Sequence, residues 1–336
     1  MKKAKLFHTV ISLIFLLAVS VTEPAYAASE LIPVGKTAGI VVETDGVIVL
    51  NVTEVTTSEG NKVSPAREAG IVPGDIIMKI GSKEIDMASK LREAISDSEG
   101  KVLSVTLSRG GKERQTVVTP VLTEDGEYAV GVWLRDSAAG LGTVTFYDPE
   151  TGACGALGHG INDIDTSILM PVKSGYFLRA EVTGVQEGRA GAPGQLQGAF
   201  SADEKIGTVL KNTADGLFGT VDDEEYVNGM TSMPVAEKSE IELGEASILS
   251  NVTGDEISEY FIEIRRIYDG DESGRDMLIS VTDERLIKTT GGIVQGMSGS
   301  PIIQNGKLIG AVTHVLVNDP TRGYGISIER MLDAAA

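Results

Sequence analysis

The sequence has little of what most metal and disulfide sites require. Its 336 residues include one cysteine, Cys154, and three histidines. One thiol excludes a disulfide within the chain and a multi-cysteine zinc site, and three histidines argue against a histidine-rich metal centre. We interpret Cys154 as a small buried apolar residue. A glycine-rich phosphate loop and a dinucleotide fingerprint are also missing, so the sequence predicts no metal and no cofactor.

Basic and aromatic residues are scarce as well. Lys and Arg total 29 against 48 Asp and Glu, which gives a formal net charge of −19. Such a surface repels phosphate backbones, so we do not expect binding to nucleic acid. Aromatic residues make up 5% of the chain, whereas 40 residues are glycine. Many glycines and few aromatic residues favour short strands joined by turns, and hence a mainly β protein.

The first 27 residues have the pattern of an export signal. Three lysines stand ahead of an apolar run at 6–21, and Ala25, Tyr26 and Ala27 give an A-x-A cleavage pattern. An uncleaved membrane anchor is the alternative, because the apolar run is close to the shortest length that crosses a bilayer. We therefore expect a signal peptide or anchor at 1–27, with the rest of the chain outside the cytoplasm.

Residues 31–122 hold short apolar runs separated by turn residues, which predicts a small α+β domain. Its most specific segment, 64–77, places a Pro-Gly-Asp turn ending at Asp75 directly before an apolar strand. We expect Asp75 to hold this turn by accepting hydrogen bonds from backbone N–H groups. The segment resembles the core signature of PDZ domains.

A PDZ domain binds a peptide by adding it as a strand to a sheet edge, while backbone amides capture the terminal carboxylate of the peptide. The loop that carries those amides should precede an early strand. The predicted peptide-binding residues are therefore Ala38, Gly39 and Ile40, and the expected partner of this domain is a peptide ligand.

A serine motif marks a second domain, which we place at 130–336. The segment 291–303 reads GGIVQGMSGSPII and centres on Ser298. The flanking glycines permit a tight turn that presents the hydroxyl, and the N–H groups of Gly296 and Ser298 can converge on a developing oxyanion. The motif resembles the nucleophile loop of chymotrypsin-like serine peptidases, which implies a β-barrel peptidase domain.

The chain beyond the serine is predicted to contact the substrate. An Asn-Gly hairpin turn separates two apolar runs there. The second run is expected to form the wall that pairs with the substrate backbone, and it contains Ala311, Val312, Thr313 and His314.

Two histidines are candidates for the base, because His8 lies in the predicted leader. His159 precedes Ser298 in the chain, as the histidine does in chymotrypsin-like peptidases, so we assign it as the general base. His314 follows Ser298 on the predicted wall strand and suits a substrate subsite better.

The acid that would orient the base is less clear from the residues. Asp163 and Asp165 lie close to His159 in sequence, which is too local for a contact across a cleft. Asp283 ends an apolar strand shortly before the serine loop and could accept the imidazole N–H that faces away from Ser298. Asp283 ranks first among these three.

The order of leader, PDZ unit and peptidase region resembles the SpoIVB peptidase family over nearly the whole chain. The segment 155–159, GALGH, is similar to the histidine motif of that family, and 291–325 is similar to its serine region. The resemblance implies a catalytic triad of His159, Asp283 and Ser298. It also makes a transient membrane tether a plausible role for the leader.

The resemblance further implies a function in sporulation signalling. The expected substrate is a SpoIVFA-like regulator in a membrane-embedded protease complex, cleaved in the space between mother cell and forespore. Its cleavage would release an intramembrane protease that processes pro-sigma-K, and self-cleavage is expected under control of the PDZ domain. A non-catalytic PDZ scaffold is one alternative. An HtrA-like quality-control protease is another, although HtrA proteins place the PDZ domain after the protease.

Overall fold

The computed structural model describes residues 30–268 and 274–336, so the predicted signal at 1–27 lies outside the described residues. The strands are β1 (Glu30–Val52), β2 (Val55–Thr56), β3 (Lys62–Val63), β4 (Ile76–Ile80), β5 (Lys83–Glu84), β6 (Leu103–Arg109), β7 (Lys112–Val118), β8 (Val121–Leu122), β9 (Tyr128–Ala129), β10 (Val132–Tyr147), β11 (Ala153–Ala156), β12 (Val172–Gln186), β13 (Gln195–Thr213), β14 (Gly216–Val221), β15 (Met233–Pro234), β16 (Gly244–Ser250), β17 (Ser258–Ile267), β18 (Met277–Val281), β19 (Pro301–Gln304), β20 (Lys307–Leu316) and β21 (Asp319–Ser327). The α-helices are α1 (Pro65–Glu68), α2 (Ala88–Asp97), α3 (Glu284–Thr290) and α4 (Ile328–Ala335), and 3₁₀ turns cover Glu224–Val227 and Lys238–Glu240. Each described helix falls short of the length and apolar character needed to cross a membrane.

Six strands close into a first barrel. β1 pairs with both β10 and β12, so the order β1-β12-β13-β14-β11-β10 returns to its start. The apolar side chains that point inward from these strands fill the barrel. That core includes Val34, Ile40, Val144, Phe177 and Leu217.

A second barrel follows in the chain, with the closed strand order β16-β17-β18-β21-β20-β19. Its core is built mainly from β-branched residues, which pack well on pleated strands. Ile248, Ile262, Ile279 and Val312 are each less than 2% exposed there. Two six-stranded antiparallel barrels confirm the predicted chymotrypsin-like architecture.

The PDZ unit is inserted between the first two strands of the first barrel. From Val47 onward, β1 leaves the barrel and pairs with β4, which begins the sheet β1-β4-β6-β7. Helix α2 covers this sheet by burying Leu91, Ala94 and Ile95 against it. The α+β fold of the unit is as predicted. However, residues 31–44, which the sequence placed in the PDZ region, form a barrel strand.

The predicted turn at Asp75 forms as expected. Its carboxylate accepts a hydrogen bond from the Val72 N–H at 3.0 Å and is fully buried. Arg109 on β6 donates to the two carboxylate oxygens at 2.6 and 2.7 Å. This bidentate pair therefore balances a charge that has no access to water.

We expect Arg109→Met to destabilise the protein by about 3 kcal/mol or more, because it leaves a buried carboxylate without its counter-ion. Urea unfolding of the two proteins measures the difference. Lys83→Met is the matched control, since it breaks an exposed pair with Glu93 whose loss should cost less than about 1 kcal/mol. Equal effects of the two substitutions would contradict the expectation.

Candidate active site

Ser298 lies in the loop between α3 and β19. Tight turns shape this loop, with the Met297 N–H bonded to Val294 O at 3.1 Å and the Ser300 N–H bonded to Met297 O at 3.0 Å. Gly299 has φ +97°, and a Cβ at this position would lie 2.0 Å from the Thr143 carbonyl oxygen. Only glycine fits that close approach.

The loop leaves two backbone donors available. Within the described residues, neither the N–H of Gly296 nor that of Ser298 donates a hydrogen bond. Both groups flank the nucleophile, and unpaired N–H groups at such a position can stabilise an oxyanion. This arrangement agrees with the predicted oxyanion hole, although its role stays a prediction.

Thr143 on β10 fastens the serine loop to the first barrel. Its N–H bonds the Ser298 carbonyl oxygen at 3.0 Å, and its hydroxyl donates to the Gly296 carbonyl at 2.8 Å. The Thr143 carbonyl accepts a bond from the Leu157 N–H at 3.2 Å, two residues before His159. One residue therefore connects both halves of the site.

We expect Thr143→Val to lower the free energy of unfolding by about 1 to 2 kcal/mol, because the Gly296 carbonyl loses its donor. Covalent labelling of Ser298 should slow as the loop loosens. Thr145→Val is the control on the same strand, since its buried hydroxyl has no partner in the described structure. Thr145→Val should leave the free energy of unfolding unchanged or raise it. A decrease as large as that of Thr143→Val would show that the Thr143 hydrogen bond is not the cause.

His159 follows β11 and is half-buried. Its Nδ1–H donates to the carbonyl oxygen of Gly160 at 2.9 Å, which leaves Nε2 with a free lone pair. Burial lowers the pKa of His159 below its usual value, and the Gly160 hydrogen bond opposes that effect only in part. The imidazole is therefore neutral at pH 7 and able to act as a base.

His314 stands beside His159, with the two ring centroids 4.8 Å apart. Loss of hydration lowers the pKa of His314 to about 4, and repulsion from Arg275, and from His159 when that ring is protonated, contributes. The two rings share a cavity of about 450 Å³ between the barrels, here called the interbarrel cleft. Its lining includes Ala138, Leu141, His159, Ser298, Thr313 and His314.

The Ser298 hydroxyl is in a resting position. Its Oγ donates to the carbonyl oxygen of Thr313 at 2.6 Å, and not to His159. Catalytic hydrogen bonds are often formed only when substrate binds. Ser298 and His159 line the same cleft without a hydrogen bond between them in this resting state.

Family comparisons agree with this geometry. The family model of the SpoIVB peptidase S55 matches residues 126–332, which is more than half of the chain, and a PDZ domain model matches 38–119. The chain belongs to the SpoIVB peptidase S55 family. The predicted family and the predicted class, a serine endopeptidase, are thereby confirmed.

Other similar proteins match a short segment of the sequence or share little sequence identity with the chain. The mitochondrial serine protease HTRA2 of Drosophila sechellia is 39% identical over 57 residues, which cover 17% of this chain and 13% of that protein. The chain spans about a fifth or less of the length of the curated relatives it matches. Among solved structures, the active form of the Rv3671c protease from M. tuberculosis is 15% identical, with a TM-score of 0.33 and coverage of 58% of this chain and 70% of that one. The HtrA-type protease AlgW with a decapeptide is 10% identical, with a TM-score of 0.34 and coverage of 93% and 66%.

The structure of this SpoIVB-family chain does not bring Asp283 to His159. Asp283 caps the N-terminus of α3 and accepts a hydrogen bond from the Arg285 N–H at 2.9 Å. Its carboxylate also binds the Arg285 guanidinium at 2.7 Å and the Phe261 N–H at 3.3 Å. These contacts, chiefly the Arg285 side chain, lower the pKa of Asp283 to about 2. The structure therefore does not show the predicted contact with the imidazole, whose Nδ1–H donates to the Gly160 carbonyl instead, and the catalytic role of Asp283 stays a prediction.

Two other acids lie near the His159 loop. Asp163 is fully engaged within its own loop and with Arg135 on β10, so it cannot orient His159. Asp215 lies in the β13–β14 turn, where the Gly160 N–H bonds the Ala214 carbonyl at 3.2 Å. Arg330 holds the Asp215 carboxylate at 2.8 Å. No local sequence signal singled out Asp215, because its approach to the loop depends on barrel closure.

The four residues of the predicted substrate wall differ in their access to the cleft, and their role stays a prediction. Ala311 pairs with Pro301 on one side and Ile326 on the other, and Val312 is buried at 0% exposure, so neither offers an open edge. Thr313 and His314 line the interbarrel cleft. β19 ends its strand pairing at Ala311, and the serine loop continues along β20 from there, with the Val312 N–H bonded to the Ser300 carbonyl at 2.9 Å and the Gly299 N–H bonded to the Val312 carbonyl at 2.7 Å.

The predicted peptide-binding residues of the PDZ unit lie elsewhere. Ala38, Gly39 and Ile40 pair with β10 on one edge and β12 on the other, inside the first barrel. A strand with both edges paired cannot accept a peptide. The prediction for these three residues is therefore wrong, although the PDZ match itself begins at residue 38.

Proposed function

We propose that this chain is an exported serine endopeptidase of sporulation signalling. Its substrate is a regulator within a membrane-embedded protease complex, in the space between mother cell and forespore, and it also cleaves itself. Membership of the SpoIVB peptidase family supports the biological setting. The observation that carries the chemistry is the interbarrel cleft, which Ser298 and His159 line together, with the unpaired N–H groups of Gly296 and Ser298 at the nucleophile.

The proposed reaction follows from these groups. Ser298 Oγ attacks the carbonyl carbon of the scissile peptide bond while Nε2 of His159 takes its proton. The N–H groups of Gly296 and Ser298 stabilise the oxyanion. His159 then protonates the leaving amine, and water, deprotonated by the same imidazole, hydrolyses the acyl-enzyme to release the acid and restore Ser298.

The experiment that tests this function uses residues 28–336 with the extracytoplasmic part of a SpoIVFA-like regulator. We expect the wild-type protein to cleave the regulator and to shorten itself, as followed by intact mass. The Ser298→Ala protein should do neither, and it should become a substrate when wild-type protein is added. If a fluorophosphonate labels the enzyme but the regulator stays intact, the proposed substrate is wrong.

A matched measurement in an endospore-forming host tests the signalling role. Replacement of the resident gene by the Ser298→Ala version should block processing of pro-sigma-K, while the protein accumulates at its usual level. Normal processing in that strain would favour a non-catalytic PDZ scaffold.

A further inference from the structure

Strand β10 has a long edge without a strand partner. On one side it pairs with β1 along most of its length. On the other side, within residues 30–268 and 274–336, its strand partner β11 begins only at Val144. The segment 132–142, here called the β10 edge, is therefore open. Proteins normally shield an edge of this length, so an open one marks a place where another chain can pair.

The first part of the β10 edge belongs to the PDZ unit. Val132 pairs with Val52 and Leu134 with Val49, and both β10 side chains pack on the core beneath α2. Helix α2 starts against the same strand, because the Ala88 N–H donates to the Asp136 carboxylate at 2.8 Å. An open strand edge beside a helix is the arrangement that accepts a peptide as an added strand.

The start of the β10 edge suits a terminal carboxylate. The carbonyl oxygens of Val130 and Gly131 are bonded by Ala66 and Thr53 N–H groups, at 3.0 and 2.9 Å, which fixes the loop. Arg67 lies at this corner, where its guanidinium donates to the Val52 carbonyl at 3.2 Å. It is exposed, and no carboxylate in the described part of the chain pairs with it. A guanidinium that has no carboxylate partner and keeps unused N–H donors can bind a carboxylate strongly.

The last part of the β10 edge belongs to the interbarrel cleft. Residues 138–141 line that cleft together with Ser298. The edge ends where the Thr143 N–H bonds the Ser298 carbonyl oxygen. The same strand edge thus leads from the PDZ corner to the nucleophile.

We propose that one extended polypeptide occupies the whole β10 edge, with its free C-terminal carboxylate at 129–131 and its scissile bond at Ser298. A chain placed in this way runs antiparallel to β10, from the cleft towards the PDZ corner. This inference rests on the proposed peptidase function and adds a rule for choosing the substrate bond. Paired strands advance at the same rise of about 3.3 Å per residue, so the bond cleaved lies about 10 to 12 residues from the C-terminus.

The test uses peptides of about 30 residues with a repeating Ala-Val-Lys-Thr body, incubated with residues 28–336 and analysed by mass spectrometry. The repeat offers many equivalent bonds, so distance alone selects among them. We expect cleavage about 10 to 12 residues from a free C-terminus. Addition of one complete four-residue repeat at that end should shift the cut by four residues, and a C-terminal amide should lower kcat/KM about tenfold. Cuts that ignore the added residues and the amide would overturn the proposal.

A binding measurement separates this inference from the peptidase function. Ser298→Ala protein should bind a fluorescent 12-residue peptide of the same repeat about tenfold more tightly as the free acid than as the amide. Adding Arg67→Met should remove most of that difference, whereas Arg114→Met, at an exposed position on β7, should leave it unchanged. Equal affinity for acid and amide in the Ser298→Ala protein would refute the carboxylate site whatever the catalytic result.

Fluorophosphonate labelling of the wild-type protein completes the distinction. If the probe labels the protein but the cleavage position does not depend on the C-terminus, the protein is a peptidase and the proposed distance rule is wrong. If the probe labels the protein but none of the peptides is cleaved, the distance rule is also wrong. Unlabelled protein that still prefers the free acid would refute the peptidase function and leave the carboxylate site intact.

Discussion

Ser298→Ala is expected to lower kcat/KM by about 10⁴-fold or more and to abolish fluorophosphonate labelling. The reason is that the alanine variant has no atom that can form the acyl-enzyme, and only the oxyanion donors and substrate binding remain. Stability should change by less than about 1 kcal/mol, because the hydrogen bond that is lost, from Oγ to the Thr313 carbonyl, lies at a cleft that water enters. Peptide hydrolysis and urea unfolding measure the two quantities.

Ser300→Ala is the matched control for this prediction. Ser300 lies two residues further along the same loop and is fully buried, and its hydroxyl has no hydrogen-bond partner in the described structure. Its removal should leave labelling and turnover close to wild type. Full turnover by Ser298→Ala would refute the assignment of the nucleophile.

Substitution of the two cleft histidines should separate their roles. We expect His159→Gln to lower kcat by about 10³-fold or more, because glutamine cannot take the serine proton. His314→Gln should lower it by less than about tenfold, since that ring lines the cleft and neighbours the base. A larger loss at His314 would reverse the assignment.

The pH profile of kcat/KM gives a second readout for His159. Activity requires the neutral imidazole, so the rate should fall as the pH drops through the pKa of His159. Burial lowers that pKa below its ordinary value of 6.5. The acid limb should therefore lie below pH 6.5, and it should be absent from the residual activity of His159→Gln.

Stability should decrease in two separate pH ranges. His314 has a pKa near 4 when folded and an ordinary value of 6.5, so the unfolded chain binds its proton first, and stability declines from about pH 6.5 to 4. Asp283 has a pKa near 2 when folded against 3.8, so its contribution is complete above about pH 4 and declines towards pH 2. Thermal unfolding across this range should show a shallower upper decline in His314→Gln. An unchanged decline would contradict the assignment to His314.

The local chemistry of the site could be predicted from the sequence. The serine loop can be recognised in the sequence because its turns require Gly296 and Gly299. The base can be assigned because the chain offers few histidines. The Asp75 turn was also readable, since a Pro-Gly-Asp sequence before an apolar run dictates its own geometry. These features depend on residues that are neighbours in the chain.

Features that depend on distant pairing could not be read in the same way. The apolar alternation around Gly39 predicts a strand, but it does not say which sheet receives that strand. The alternation therefore predicts a peptide edge at 38–40, and nothing local in the sequence marks the open edge at 132–142. The family resemblance implies that Asp283 is a triad member, although an Asp directly before a short helix is also a typical N-cap.

The insertion of the PDZ unit has a consequence for the order in which the molecule is built. Ile32 pairs with Tyr147 and Val41 with Ala139, each across the entire PDZ sequence. The first barrel therefore cannot close until the inserted unit has been synthesised. The entropic cost of closing that long loop is smaller if the unit folds first. A nascent chain that stops before β10 exposes the unpaired half of β1. We expect the PDZ unit to act as the folding clamp that brings the two ends of the first barrel together.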